Sequence, residues 1–138
     1  MQSELPSRQT CSVAVIGLGY VGLPLAVEIA RTRICEKSRA SLDRVVIGFD
    51  INATRISQLR ESFDSTNELS HGDLASAASI NFTDDKCLLS NSDIFIITVP
   101  TPVDRAKKPD LNPLISATKT VGKSLKLRHS SVLPIVIY

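Results

Sequence analysis

The sequence has no tryptophan, few cysteines, no long hydrophobic run and almost no net charge. Each shortage excludes something. Cys11, Cys35 and Cys87 are odd in number and widely spaced, form no CxxC pair, and have only His71 and His129 as co-ligands. Neither a zinc site nor a secreted disulfide framework is expected, so the reading is a reducing cytoplasm and no metal. No apolar run approaches the roughly 20 residues that cross a bilayer. The opening MQSELPSRQT lacks the basic segment and apolar core of a signal peptide, and residues 1–11 read as a flexible leader. Sixteen basic against fourteen acidic residues leave a net charge of +2, too balanced to argue for nucleic acid or a membrane surface. The local basic cluster of Lys119, Lys123, Lys126, Arg128 and His129 has no interleaved aromatics and reads as a solvated helix face. What the chain does have is 43% hydrophobic residues over 138 positions, enough for one domain with its own core.

Strand-like and helix-like signals alternate along that domain. SVAVIG (12–17), RVVIGFD (44–50) and DIFIITVP (93–100) are short, apolar and β-branched, the pattern of strands buried on both faces of a parallel sheet. SINFT (79–83) is a weaker strand, with Asp84 as cap for a short helix after it. Val21, Leu25 and Ile29 mark one helix, while Leu114, Thr118, Val121 and Leu125 mark another that opens with Asn112 as cap and Pro113 in its first turn. With a last strand at 131–138, the expected fold is a single-domain, three-layer α/β/α structure: a Rossmann-type doubly wound parallel sheet with strands 12–17, 44–50, 79–83, 93–99 and 131–138.

A GxGxxG alone is a weak signal, but here Gly17, Gly19 and Gly22 follow a strand and open a helix. In such a loop the first glycine makes the turn, the second lets backbone approach a pyrophosphate, and the third lets helix pack on strand. The N–H groups near Tyr20 and Val21 would meet the phosphates, aided by the helix dipole. Asp50, closing the next strand, would accept hydrogen bonds from an adenosine ribose and repel a 2′-phosphate, which favours NAD over NADP. Arg55, one turn on, weighs slightly the other way. The interval from Gly17 to Asp50 exceeds the roughly 20 residues this fingerprint usually spans. The excess lies in TRICEKSRASLDR (32–44), at the sheet edge away from the ligand crevice. The bland alternatives are a Rossmann-like domain that binds nothing, or one that binds S-adenosylmethionine.

The loop ITVPTPVDRAKKPDLNP (97–113) places two prolines around Thr101 at the carboxyl edge of the sheet, holding a hydroxyl over the cofactor. With this loop, GLGYVGLPLA, GFDIN followed by Arg55, PDL with Pro113, and the TVG of 120–122, the chain resembles the N-terminal NAD-binding domain of the UDP-glucose/GDP-mannose dehydrogenase family from about residue 12 to 138. ITVPTPVD with PDL is most similar to the UDP-N-acetylhexosamine 6-dehydrogenases of capsule, Vi-type and O-antigen polysaccharide synthesis. The resemblance implies that Gly17, Gly19, Val21 and its neighbours Tyr20 and Gly22 hold pyrophosphate. It places Asp50 on the adenosine ribose, Arg55 on the adenosine side, and Val99, Pro100 and Thr101 at the nicotinamide half.

The same resemblance implies oxidation of the C6 alcohol of a UDP-sugar to a carboxylate, with two NAD and a cysteine thiohemiacetal and thioester, in a dimer or larger oligomer. In the family, a strand like the closing PIVIY (134–138) leads into a glutamate-serine-threonine segment, a long helix, a sugar-binding domain and the catalytic cysteine. The expectation is therefore a piece ending before those parts, which binds NAD without turnover and carries no catalytic residue of its own; Cys11, Cys35 and Cys87 read as inert thiols. The stretch LRHSSVLP is longer than the family's usual turn into that strand, and Pro134 removes a ladder donor, so the last strand is expected to be an edge, kinked or short. A stand-alone NAD-binding module, or another NAD enzyme such as a 3-hydroxyacyl or 6-phosphogluconate dehydrogenase, is the alternative.

Overall fold

The computed structural model describes residues 4–126 and 135–138. Its centre is one five-stranded sheet: β1 (Ser12–Ile16), β2 (Val45–Phe49), β3 (Asn81–Thr83), β4 (Ile94–Ile97) and β5 (Ile135–Ile137), in the order β3-β2-β1-β4-β5. Every pairing is parallel. Around it lie α1 (Gly22–Arg31), α2 (Ala53–Arg60), α3 (His71–Ser76), a 3-10 turn over Lys86–Asn91, and α4 (Asn112–Lys126). This is the doubly wound sheet that the alternating pattern predicts.

The continuous apolar character of the inner strands follows from burial on both faces. On one face Val15, Val46 and Phe82 pack with Leu23, Ala26 and Val27 of α1, Ile56 and Leu59 of α2, and Leu74 of α3. On the other, Ala14, Ile16, Ile47, Phe49, Phe95 and Ile97 pack with Leu89 of the 3-10 turn and with Ala117 and Val121 of α4. The chain runs outward from β1 through β2 to β3, then returns to the opposite side of β1 as β4. That reversal opens a crevice at the carboxyl ends of β1 and β4, where ligands bind in such sheets.

Several expected details shift. The buried face of α1 is Gly22, Leu23, Ala26, Val27 and Ala30, while Val21 is exposed, so the predicted stripe was rotated by about one position. Small residues explain it: alanines pack closest to the sheet, and spacing of the larger apolar residues alone missed them. Leu111 supplies the carbonyl that accepts the first helical bond of α4, from Ile115 N–H at 2.9 Å, which makes Asn112 the first helical residue rather than the cap. The short turn before β4 is capped by Asp85, whose side chain accepts from Cys87 N–H, not by Asp84. The strands are also shorter than drawn, each losing a residue or more at its ends. Residues 127–134, with Arg128, His129 and Pro134, and the Lys126 side chain lie outside the described residues. The added segment between α1 and β2 folds back on itself through an Ile34–Ser41 bridge, at the amino edge of the sheet and away from the crevice.

Candidate functional site

The loop after β1 is built around Gly17. Its φ of +95° is open to glycine and strained for other residues, and a Cβ there would press on the Thr98 backbone and the Val99 side chain at 3.1 Å. Its N–H donates to the Phe49 carbonyl at 2.8 Å, tying the loop to β2. Gly22 opens α1 against this turn. A Cβ on Gly22 would collide with the Gly17 carbonyl and with the Thr98 hydroxyl. That hydroxyl donates to the carbonyls of Ile16 at 3.1 Å and Gly17 at 2.8 Å, so Thr98 locks the turn from β4. Around Gly19, by contrast, there is open space. Val21, at the cap position of α1, makes no side-chain cap, whereas Asn52, Ser70 and Asp85 cap the other short elements. In the first turn of α1 the Leu23 N–H is taken by the Gly19 carbonyl at 3.2 Å and Pro24 has none, which leaves the Gly22 N–H and the loop before it to meet an anion.

In front of the loop stands Asp50. One carboxylate oxygen accepts from Leu18 N–H and the other from Asn52 N–H, each at 2.9 Å. A carboxylate has about four acceptor sites, so two remain for hydroxyl donors such as a ribose diol. Beside it the Ile51 side chain is exposed. Together with Gly17, Leu18, Gly19, Val99, Pro100 and the α4 residues Ser116 and Thr120, these residues line an open cleft of about 500 Å³.

Behind the loop the chemistry is different. Arg55 and Asp64 are buried and paired at 2.7 Å. The Arg55 Nε and Nη2 both donate to the Leu18 carbonyl, at 3.0 and 2.9 Å, and the remaining N–H groups reach Asp64, Ser65 and Thr66. All five guanidinium hydrogens are therefore in use. Asp64 accepts from Arg55, from the Thr66 hydroxyl and N–H, and from the N–H groups of Glu68 and Leu69. Burial alone would raise its pKa, but the hydrogen bonds from Thr66, Arg55 and Leu69 outweigh it and hold the carboxyl well below the usual carboxylate range.

Of the residues singled out from sequence, Gly17, Gly19, Asp50, Arg55, Val99 and Pro100 meet at the cleft. Tyr20 and Val21 are exposed at the head of α1, Gly22 is buried beneath it, and Thr101 is exposed in the loop beyond the cleft lining. Thr98, Ile51 and Asp64 were not anticipated. A hydroxyl in the otherwise apolar run IFIITVP is a signal that could have found Thr98; nothing local marks Asp64. The three thiols lie elsewhere: Cys11 is buried before β1, where burial raises its pKa, Cys35 is in the added hairpin with its pKa lowered by the Ser38 hydroxyl, and Cys87 is exposed on the 3-10 turn. His71 is exposed at the start of α3, its Nδ1 3.0 Å from the Ser62 carbonyl. Among the described residues no group of His, Cys, Asp or Glu is placed to hold a metal ion, and no helix is long and apolar enough to cross a membrane.

A turn at Gly17, a close helix at Gly22, open space at Gly19 and a carboxylate at the end of β2 suit a dinucleotide, and comparison with known proteins makes the assignment. Residues 11–135 match the model of the UDP-glucose/GDP-mannose dehydrogenase family, NAD binding domain. The chain belongs to that family. It is 47% identical over 114 residues to the UDP-N-acetyl-D-glucosamine 6-dehydrogenase of Pseudomonas aeruginosa, an alignment covering 83% of this chain and 24% of that protein. It is 40% identical over 126 residues to the enzyme of the same name from Salmonella typhi, covering 91% and 27%. Among solved structures, GDP-mannose dehydrogenase from Pseudomonas aeruginosa superposes with a TM-score of 0.72 at 21% identity, over 86% of this chain and 26% of that one, a likeness of fold. The chain thus spans about a quarter of the length of these relatives. Its cofactor is NAD, and the cleft residues fit it: no side chain caps the head of α1, where the Gly22 N–H and the loop before it would meet the diphosphate, and Asp50 has acceptor capacity left that would suit the ribose.

Proposed function

We propose that this chain is the NAD-holding part of a nucleotide-sugar 6-dehydrogenase acting on a UDP-N-acetylhexosamine. The observation that carries the cofactor half is Asp50, which lines the cleft with both oxygens oriented by backbone N–H groups and with acceptor capacity left over. Gly17, Gly19, Tyr20, Val21 and Gly22 would form the diphosphate cradle, Asp50 would take the adenosine ribose diol, and the exposed Ile51 beside it would offer an apolar surface to the adenine. Arg55, placed on the adenosine side by resemblance, acts on the site through the Leu18 carbonyl and so on the glycine loop that receives the diphosphate. Its hydrogens are all engaged, so it offers nothing to a 2′-phosphate, and selection of NAD over NADP falls to Asp50. Val99, Pro100 and Thr101 carry the wall onward to the nicotinamide half. The sugar class is supported by the two 6-dehydrogenases at 40% and 47% identity.

Oxidation of an alcohol to a carboxylate through a cysteine thioester needs a thiolate facing the nicotinamide and a base beside it. None of Cys11, Cys35 and Cys87 lines the cleft, so that chemistry belongs to parts found in the longer relatives. The 138 residues alone bind NAD without turnover, and the complete cytoplasmic enzyme is a dimer or larger. Calorimetric titration with NAD and NADP tests this reading. Saturable NAD binding, weak NADP binding and a loss of about tenfold or more in affinity for NAD in Asp50→Ala are expected, as when one oriented, charge-assisted contact is removed. A folded chain that binds neither nucleotide would refute it.

A further inference from the structure

We propose that Asp64 is a positioning residue for dinucleotide binding: seated behind the glycine loop, it aims the Arg55 guanidinium at the Leu18 carbonyl and so holds the loop in the shape that receives the diphosphate. The proposal rests on the reading of the cleft as an NAD site.

The Leu18 backbone is gripped on both sides of its Cα. Its N–H donates to Asp50 at 2.9 Å, and its carbonyl accepts the Arg55 fork at 3.0 and 2.9 Å. A two-pronged donor on one carbonyl fixes direction as well as distance, which a single ammonium could not do. The fork is itself aimed from behind. Asp64 Oδ1 accepts from Arg55 Nη1 at 2.7 Å and from the Thr66 hydroxyl at 2.6 Å, while that hydroxyl accepts from Arg55 Nη2 at 3.3 Å. Asp64 Oδ2 is pinned by the N–H groups of Glu68 and Leu69 at 2.9 and 3.0 Å. The segment 64–69 therefore forms a rigid cup for one guanidinium, and Leu18 lies between Gly17 and Gly19 of the cradle. Buried ion pairs are poor stabilisers compared with apolar packing of the same volume. What the charged pair supplies here that a hydrocarbon could not is aim.

The test uses the full 138-residue chain and its Asp64→Asn, Thr66→Val and Asp64→Glu variants, at a temperature where circular dichroism shows each folded. NAD and ADP-ribose are titrated by calorimetry and adenosine by NMR. Asp64→Asn and Thr66→Val are expected to weaken NAD and ADP-ribose by about tenfold but adenosine by less than about twofold, because the displaced group is the diphosphate cradle. Asp64→Glu should recover part of the loss, and Asp64→Asn should add nothing in an Arg55→Gln background, since Asp64 acts through Arg55. Unchanged NAD affinity in the folded variants, even with a lowered melting temperature, would make Asp64 a structural brace only and overturn the inference while leaving the NAD site intact. Equal weakening of adenosine would overturn it too. Failure of the parent chain to bind NAD would overturn both readings. Should Asp64→Asn not fold, Thr66→Val decides.

Discussion

The two sides of the glycine loop are built on opposite principles, although each centres on an aspartate that accepts backbone N–H groups. Behind the loop, Asp64 is buried and its oxygens take five hydrogen bonds from Arg55, Thr66, Glu68 and Leu69. In front, Asp50 takes two and faces an open cleft. A saturated carboxylate fixes structure, whereas one with free lone pairs has something to give a ligand. The same contrast separates the glycines: Gly22 has atoms of Gly17 and Thr98 where a side chain would go, and Gly19 has none.

Substitutions on the two sides should therefore fail differently. The largest effect is expected from Asp64→Ala, which leaves the Arg55 charge buried without its partner and should lower the unfolding free energy by about 3–5 kcal/mol in urea titrations at neutral pH. Gly22→Ala comes next. Its Cβ must displace both the Gly17 carbonyl and the Thr98 hydroxyl, and overpacking of this kind costs about 1–3 kcal/mol, read as a lowered melting temperature. Acid sharpens the contrast. Because the folded pKa of Asp64 is depressed, its contribution is complete above the unfolded value of about 4 and is lost as pH falls through the folded one. The parent should lose stability below about pH 5 more steeply than Asp64→Asn, a difference measurable by denaturation at stepped pH. The smallest change in stability, within about 0.5 kcal/mol, is expected from Gly19→Ala, whose methyl meets no protein atom. Calorimetry should nevertheless show weaker NAD binding there, since the methyl would enter the space in which the proposed cradle receives the diphosphate.

The sequence marks the residues in front of the loop, and behind it marks Arg55 but not its partner Asp64. Gly17, Gly22 and Asp50 are legible because each stands at a fixed place in a strand-loop-helix-strand pattern, and the pattern demands that residue type. Asp64 follows α2 in the connection to α3, where an aspartate is ordinary. Only the folded chain brings it against Arg55, with Arg55 in turn against Leu18. The fold class was readable from three apolar runs and their spacing. The buried face of α1 was not, because Ala26 and Ala30 carry too little hydrophobicity to outweigh Leu25 and Ile29, yet their small size is what lets the helix approach the sheet. Helices α2 and α3 were invisible as stripes: each buries only a few side chains, and local caps at Asn52 and Ser70 set their starts.

Asp50 grips the loop through the Leu18 N–H with one oxygen and accepts from the Asn52 N–H with the other, and it lines the cleft with acceptor capacity to spare. On the proposed reading, cofactor preference and loop shape are in this way written into one side chain. An engineer wishing to convert the domain to NADP could not simply exchange Asp50 for a small or basic residue, because the Leu18 N–H would be left without its acceptor and the cradle would loosen along with the selectivity. The switch calls for two coordinated changes, one to admit the extra phosphate and one to give Leu18 a new anchor, which makes this specificity hard to reach by single mutational steps.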